Sequence, residues 1–174
     1  MKFTLLNNKT GKEDLAHLTN VEVKLTDTHL EFYFDCKNSL FYSAGDYFNA
    51  ELYKGDVCEA FICTDGVGKN YYEVEVAPNN SVFLKYITYR GYKDFSGEDC
   101  GNFVESKVEV NGKDYKVFFR VPLDSIGYTS DKGILLNIFR IDTDGGEEQD
   151  KYLLSLSPTL CDSFHMPDKF IKLK

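Results

Sequence analysis

The stretch Val21-Glu22-Val23-Lys24-Leu25-Thr26-Asp27-Thr28-His29-Leu30-Glu31-Phe32-Tyr33-Phe34-Asp35 decides the fold class. Val21, Val23 and Leu25 alternate with Glu22 and Lys24, and Leu30, Phe32 and Phe34 alternate with Glu31, Tyr33 and Asp35. Successive side chains of a strand point to opposite faces. A period of two therefore marks a pair of half-buried strands, not an amphipathic helix. The polar cluster Thr26-Asp27-Thr28 between them is the composition of a turn.

Outward from this hairpin the same pattern recurs. Val57 to Cys63 is mostly apolar, as expected of a strand covered on both faces. Asp65-Gly66-Val67-Gly68-Lys69-Asn70 then reverses the chain, and Tyr72, Val74 and Val76 alternate with Tyr71, Glu73 and Glu75. Pro78-Asn79-Asn80 breaks that run before Val82 to Tyr89 begins another. Asn111-Gly112 predicts a tight hairpin with positive φ at both central residues. Val104, Val108 and Val110 lead in; Tyr115, Val117, Phe119 and Val121 lead out as far as Pro122, which has no N–H for the ladder. Leu123 to Gly127 predicts one helical turn closed by glycine. Ile134 to Ile141 and Tyr152 to Leu156 add further strands. These short strands and turn signals predict an all-β chain. The expected fold is an immunoglobulin-like or jelly-roll β-sandwich of antiparallel strands, with residues 1–174 as a single domain.

Composition narrows the function. The chain carries a net charge of −8, and its 12 Tyr and 14 Phe stand beside no Trp. An acidic chain is poorly suited to nucleic acid, whose phosphates need a basic face, or to an anionic membrane surface. A neutral or cationic partner is expected. No apolar run is long enough to span a membrane, and the run in Met1 to Leu6 is too short for a signal-peptide core. The cysteines are Cys36, Cys58, Cys63, Cys100 and Cys161. An odd number without a leader predicts free thiols and a cytoplasmic location; a leader removed from the chain would place it outside the cell. Cys58 and Cys63 are spaced to opposite faces of one strand, so they are read as buried small hydrophobes and not as joint metal ligands.

Catalytic motifs are sparse. No G-x-S-x-G is present. Ser157, Asp162 and His165 are close in sequence, which is not triad geometry. His165 reads as a satisfied structural histidine, and His17 and His29 as surface residues. Gly66-Val67-Gly68-Lys69 lacks the spacing of a phosphate loop. Glu59, Glu73 and Glu75 can share a sheet face, either as a solvated face or as a hydrolytic pair. Asp142-Thr143-Asp144-Gly145-Gly146-Glu147-Glu148 offers hard oxygen ligands on a bent loop. Asp142 and Asp144 are therefore candidate Ca²⁺ ligands, with a plain acidic turn as the alternative. No other cofactor is suggested. Tyr47, Tyr53, Tyr71, Tyr72, Tyr89, Tyr92 and Tyr152 supply rings of the kind that stack on sugars, or that cover the edges of a β core.

Two stretches together resemble the family 9 and family 9-like carbohydrate-binding modules. One runs from Leu52-Tyr53-Lys54-Gly55-Asp56-Val57-Cys58-Glu59-Ala60-Phe61 to Asn70-Tyr71-Tyr72-Glu73-Val74-Glu75-Val76-Ala77-Pro78. The other runs from Leu136-Asn137-Ile138-Phe139-Arg140-Ile141-Asp142 through Leu156-Ser157-Pro158-Thr159 to Phe164-His165-Met166-Pro167-Asp168-Lys169-Phe170. The resemblance spans the chain from about Val21 to its end and implies a β-sandwich. It also implies non-catalytic binding of a neutral sugar or short glycan, in association with glycoside hydrolases and glycan catabolism. Tyr53 falls where the first stacking aromatic is expected, six residues before the matching acid Glu59. With Glu73, Asn137 and Arg140 these form the implied carbohydrate-binding set. Asn137 and Arg140 have odd spacing, so at most one faces a ligand. The segment that carries the second aromatic in the family reads Leu156-Ser157-Pro158 and has no ring. Family members often hold a structural Ca²⁺. The alternative reading is an accessory domain that kept the fold, lost the sugar site and meets a protein partner.

Overall fold

The computed structural model describes residues 1–37, 40–146 and 151–173. Its described residues form the strands β1 (Lys2–Thr4), β2 (Leu6–Asn7), β3 (Thr19–Leu25), β4 (His29–Cys36), β5 (Val57–Cys63), β6 (Tyr71–Val76), β7 (Val82–Gly91), β8 (Asp94–Asp99), β9 (Glu105–Asn111), β10 (Asp114–Pro122), β11 (Ile134–Asp142), β12 (Tyr152–Ser155) and β13 (Ile171–Leu173). Among these residues the helical pieces are two 3-10 turns, Leu52–Lys54 and Pro167–Lys169. The smaller sheet has the order β1-β3-β4-β10-β9. The larger has the order β2-β12-β11-β5-β6-β7-β8, and β13 shares with β12 one edge of β11. Every pairing is antiparallel.

Alternation sorts the side chains as the sequence predicts. Val21, Val23, Leu30, Phe32 and Phe34 face inward from the smaller sheet. They meet Cys58, Ala60, Ile62, Val74, Val76, Leu136 and Ile138 from the larger one. Fully burying one such side chain is worth about 1.5–3 kcal/mol. Phe119 stacks on Phe32 with ring centroids 4.8 Å apart, which ties β10 to β4 at the middle of this layer. The larger sheet has apolar groups on its outer face as well. Val57, Phe61, Cys63, Tyr71, Phe139 and Ile141 pack there against Ala50, Leu52 and Phe164 from covering segments. This second layer explains the nearly unbroken apolar run of β5, all of whose residues are buried. Cys58 lies between the sheets and Cys63 on the outer face, as the odd spacing requires, and all five cysteines are free thiols.

Three local expectations change. The β9–β10 turn is centred on Gly112-Lys113, since Asn111 still pairs with Asp114. Gly112 takes φ 62° and Asn111 is not in the left-handed region, so this is a glycine-first turn. Leu123 to Gly127 forms turns and no helix, closed by a Tyr128 N–H to Leu123 carbonyl bond of 3.0 Å. His17 is buried, not superficial: its ring stacks on Tyr152 at 3.8 Å and its Nδ1 lies 3.0 Å from Asp14. Strands β1, β2, β8 and β13 lack a sequence signal because they are short or edge strands. β8 is exposed almost throughout, so nothing forces its residues to alternate.

Candidate functional site

Register along the larger sheet builds the site. On the outer face, Glu59 of β5 stands directly across from Glu75 of β6, which stands across from Phe83 of β7. One row further, Phe61 stands across from Glu73, and Glu73 from Lys85. Tyr71, Glu73 and Glu75 are alternate residues of β6, so all three project to this side. The 3-10 turn Leu52–Lys54 packs against β6 and places Tyr53 at the rim.

Tyr53, Glu59, Phe61, Glu73, Phe83 and Lys85 line a groove of about 800 Å³. Its floor holds Glu59, Phe61 and Glu73; its walls come from Tyr53, Tyr92, Phe95, Lys151, Phe164 and His165. Tyr53 as a residue is 39% exposed at the rim of the groove. Its hydroxyl donates to Glu51 Oε1 at 2.8 Å, and its carbonyl accepts from Lys151 Nζ at 2.7 Å, which fixes the turn. Burial and the Glu51 carboxylate push the Tyr53 hydroxyl up to about 12, so it enters any contact protonated. Tyr92, on the β7–β8 turn, is 55% exposed and supplies a second ring at the rim.

His165 lies between aromatic neighbours. Its ring stacks on Phe95 at 3.8 Å and its Nδ1 lies 2.7 Å from the Tyr71 hydroxyl. Burial lowers its basicity to about 4, so it is neutral at pH 7 and forms no ion pair with Glu73, 3.9 Å away. Its partner is a tyrosine and not Asp162, which bonds to Lys9 at 2.6 Å on the surface, so Ser157, Asp162 and His165 do not assemble as a triad.

The three carboxyls on the floor are unusual. Glu59 and Glu75 are almost wholly buried and Glu73 is 7% exposed. Burial drives all three upward, Glu73 to about 8, and the neighbouring carboxylates raise Glu59 and Glu75 further. One oxygen of each lies within 4.8 Å of the other two.

Of the sequence-derived residues, Tyr53, Glu59 and Glu73 come together. Asn137 and Arg140 do not join them. Asn137 is fully buried on β11; its Nδ2 donates to the Ser157 carbonyl at 2.8 Å and its Oδ1 accepts the Ser157 N–H at 2.9 Å. The amide thus stands in for a peptide unit and pins the Leu156-Ser157-Pro158 segment. Leu156 packs against the inter-sheet core. Arg140 points the other way, into the interior, and pairs with Asp142. Asp142 is therefore buried and engaged, whereas Asp144 is exposed and donates its N–H to Asp142 Oδ1 at 2.9 Å. Asp142 thus has one carboxyl oxygen on the Arg140 guanidinium and the other on the Asp144 N–H. Glu147 and Glu148 lie outside the described residues. Sequence reading named Glu75 and Tyr92 among wider sets without assigning either to the site, and it missed Phe95 as a wall. Strand alternation put Glu75 on the right face, but only register set it opposite Glu59.

A second depression of about 720 Å³ crosses the outer face of the smaller sheet, lined by Phe3, Tyr33 and Phe118. Its polar neighbours are surface groups such as Lys107 and Glu109, paired at 2.6 Å. It has no cluster of buried carboxyls, so the groove on the larger sheet is the better-built site.

No family model and no curated protein matches the sequence. Solved structures do. A family 9 carbohydrate-binding module from Caldicellulosiruptor kristjanssonii, solved with cellotriose, superposes with a TM-score of 0.66 at 13% identity, covering 100% of this chain and 82% of that one. The chain has the family 9 carbohydrate-binding module fold. A family 9 module from the same organism, solved with glucose, gives 0.64 at 13% identity, over 99% of this chain and 84% of the other. A protein of Bacteroides uniformis to which carbohydrate binding has been ascribed gives 0.75 at 15% identity, over 98% and 84%. Within the family 9 fold, this chain's Tyr53, Glu59 and Glu73 share one groove on the outer face of the larger sheet.

Proposed function

We infer that this chain is a non-catalytic carbohydrate-binding domain that takes a neutral sugar or the end of a short glycan in the groove of the larger sheet. One observation carries the reading: an exposed tyrosine ring and buried carboxyl oxygens line the same groove. A pyranose needs both, an apolar face for its C–H groups and polar atoms for its hydroxyls. Tyr53 serves as the stacking platform, with Tyr92 as a second ring at the rim. Glu59 and Glu73 form the polar floor. The fold neighbours solved with glucose and cellotriose support the same ligand class.

Affinity is expected to be modest, because an open groove buries little of a small ligand. The test is a titration with glucose, cellobiose and cellotriose followed by NMR. Shifts confined to residues of the groove support the reading. No shift with any of these, or with a wider glycan panel, at concentrations of several millimolar (~−3 to −4 kcal/mol of binding) overturns it. The alternative, a fold that has lost its sugar site, is favoured by Leu156, which packs into the core where a second ring would be needed. The same titration separates the two.

A further inference from the structure

We propose that Glu59, Glu73 and Glu75 hold a hard divalent cation, of the Ca²⁺, Mg²⁺ or Mn²⁺ class, in the floor of the groove. The first observation is their convergence: one carboxyl oxygen of each lies within 4.8 Å of the other two. Oxygens on opposite sides of a Ca²⁺ ion, each about 2.4 Å from it, stand about 4.8 Å apart, so the present span already admits the ion. The second observation is separate. Both carboxyl oxygens of the fully buried Glu75, and Oε1 of Glu59, have no hydrogen-bond partner. Buried carboxyls are ordinarily hydrogen-bonded, paired or metal-bound.

Lys151, which lines the same groove, is the described cation that acts on Glu59 and Glu75, and it does so through space. Among the described residues, no Lys or Arg forms an ion pair with any of the three. Lys85 is paired with Asp99 at 2.6 Å, and Lys151 donates to the Tyr53 carbonyl. Carboxylate oxygens are hard ligands, which fits this class of cation and not a thiophilic metal. Glu59 and Glu73 line the groove while Glu75 lies beneath. An ion here keeps its remaining coordination positions toward the groove, where water or a sugar hydroxyl completes the shell. Cation binding itself does not depend on the carbohydrate reading.

The test uses the whole chain, freed of metal by chelator and desalting. CaCl₂, MgCl₂ and MnCl₂ are titrated separately by calorimetry, and thermal unfolding is followed with and without each. One saturable site and a raised unfolding midpoint are expected for at least one ion. Glu75→Gln and Glu59→Gln should each weaken binding about tenfold or more, since both lose a charged ligand. Without metal both variants should be at least as stable as the parent, because each replaces a buried acid with a neutral amide; lost binding is then not lost folding. Asp144→Asn should bind as the parent does. Absence of saturable binding up to about 10 mM, beyond the weakest protein Ca²⁺ sites, overturns the proposal. So does binding that survives both glutamate variants or disappears in Asp144→Asn. The sugar titration is repeated with metal and with chelator. Sugar binding in a chain that takes up no metal overturns the cation site and leaves the carbohydrate reading standing. Metal uptake with no sugar response supports the cation site and counts against the carbohydrate reading.

Discussion

Arg140 and Asp142 lie two residues apart on β11, point into the same interior and form an ion pair with neither side chain exposed to solvent. The guanidinium reaches beyond its partner: Nη1 donates to Thr19 Oγ1 at 2.8 Å and to the His17 carbonyl at 3.2 Å. Its plane lies over the Tyr115 ring, 5.3 Å from the centroid. One side chain of the larger sheet thus ties together β3, β10 and, through the Lys37 carbonyl 3.4 Å from Nη1, the residue that follows β4 in the smaller one.

Removing that cation leaves Asp142 buried without its charge partner. Arg140→Met should cost about 3–5 kcal/mol, and Arg140→Met with Asp142→Leu should recover much of the loss, because the uncompensated charge goes too. Urea denaturation of the parent and the two variants measures this. A single variant within about 1 kcal/mol of the parent would refute a structural role for the pair.

Asp65 closes the β5–β6 connection. Its Oδ1 accepts the N–H groups of Val67 and Gly68, both at 2.8 Å, and its Oδ2 those of Lys69 at 3.1 Å and Asn70 at 2.8 Å. Burial acts to raise this carboxyl, but the Cys63 thiol and the backbone donors outweigh it and hold it at about 2. The ordinary carboxyl titrates near 3.9. A folded value below the unfolded one contributes stability above about pH 4 that disappears as pH falls toward about 2. Asp65→Asn should therefore be less stable than the parent by about 1–2 kcal/mol at neutral pH, after allowing for partial exposure. The gap should narrow steadily between pH 4 and 2 in parallel denaturation curves. A gap that is constant with pH would refute the carboxylate's role.

Tyr53 and Tyr92 should matter for ligand and not for folding. Each alanine variant is expected to weaken binding of a responsive sugar by about 1 kcal/mol, roughly fivefold in Kd. Unfolding should change little, because both rings stand at the rim. NMR titration of the two variants decides; equal affinity in both would remove the stacking role.

Gly55 ends the turn that carries Tyr53. A Cβ there would come 2.4 Å from the Tyr42 carbonyl oxygen and 2.8 Å from the Ala44 nitrogen, both backbone atoms that cannot swing away. Gly55→Ala should cost about 1–3 kcal/mol through forced backbone displacement. Gly91→Ala, with nothing within 4 Å of its Cβ position, is the control and should be close to neutral. A thermal-shift comparison suffices, and equal midpoints would show that the 42–55 segment yields easily.

The polar residues of β11 show where sequence reading stops. Spacing correctly separated Asn137 from Arg140 to opposite faces. Both were legible as a motif, yet neither reaches the groove. Asn137 is consumed by the Ser157 backbone in the gap between β12 and β13, and Arg140 by Asp142. A side chain's type and face do not say which segment will cover it. Glu59 and Glu73 were legible because alternation puts them on the face of Phe61 and Tyr71.

By itself, the order of apolar and polar residues determined the longer central strands, their inward faces and the two-layer, all-β fold, because side chains on a strand alternate whatever their neighbours are. Only the tertiary structure decided that Glu75 stands opposite Glu59, and that residues as distant as Tyr53, Tyr92 and His165 wall one groove. Register and loop packing arise from contacts between segments far apart in the chain, and a local pattern carries no record of them.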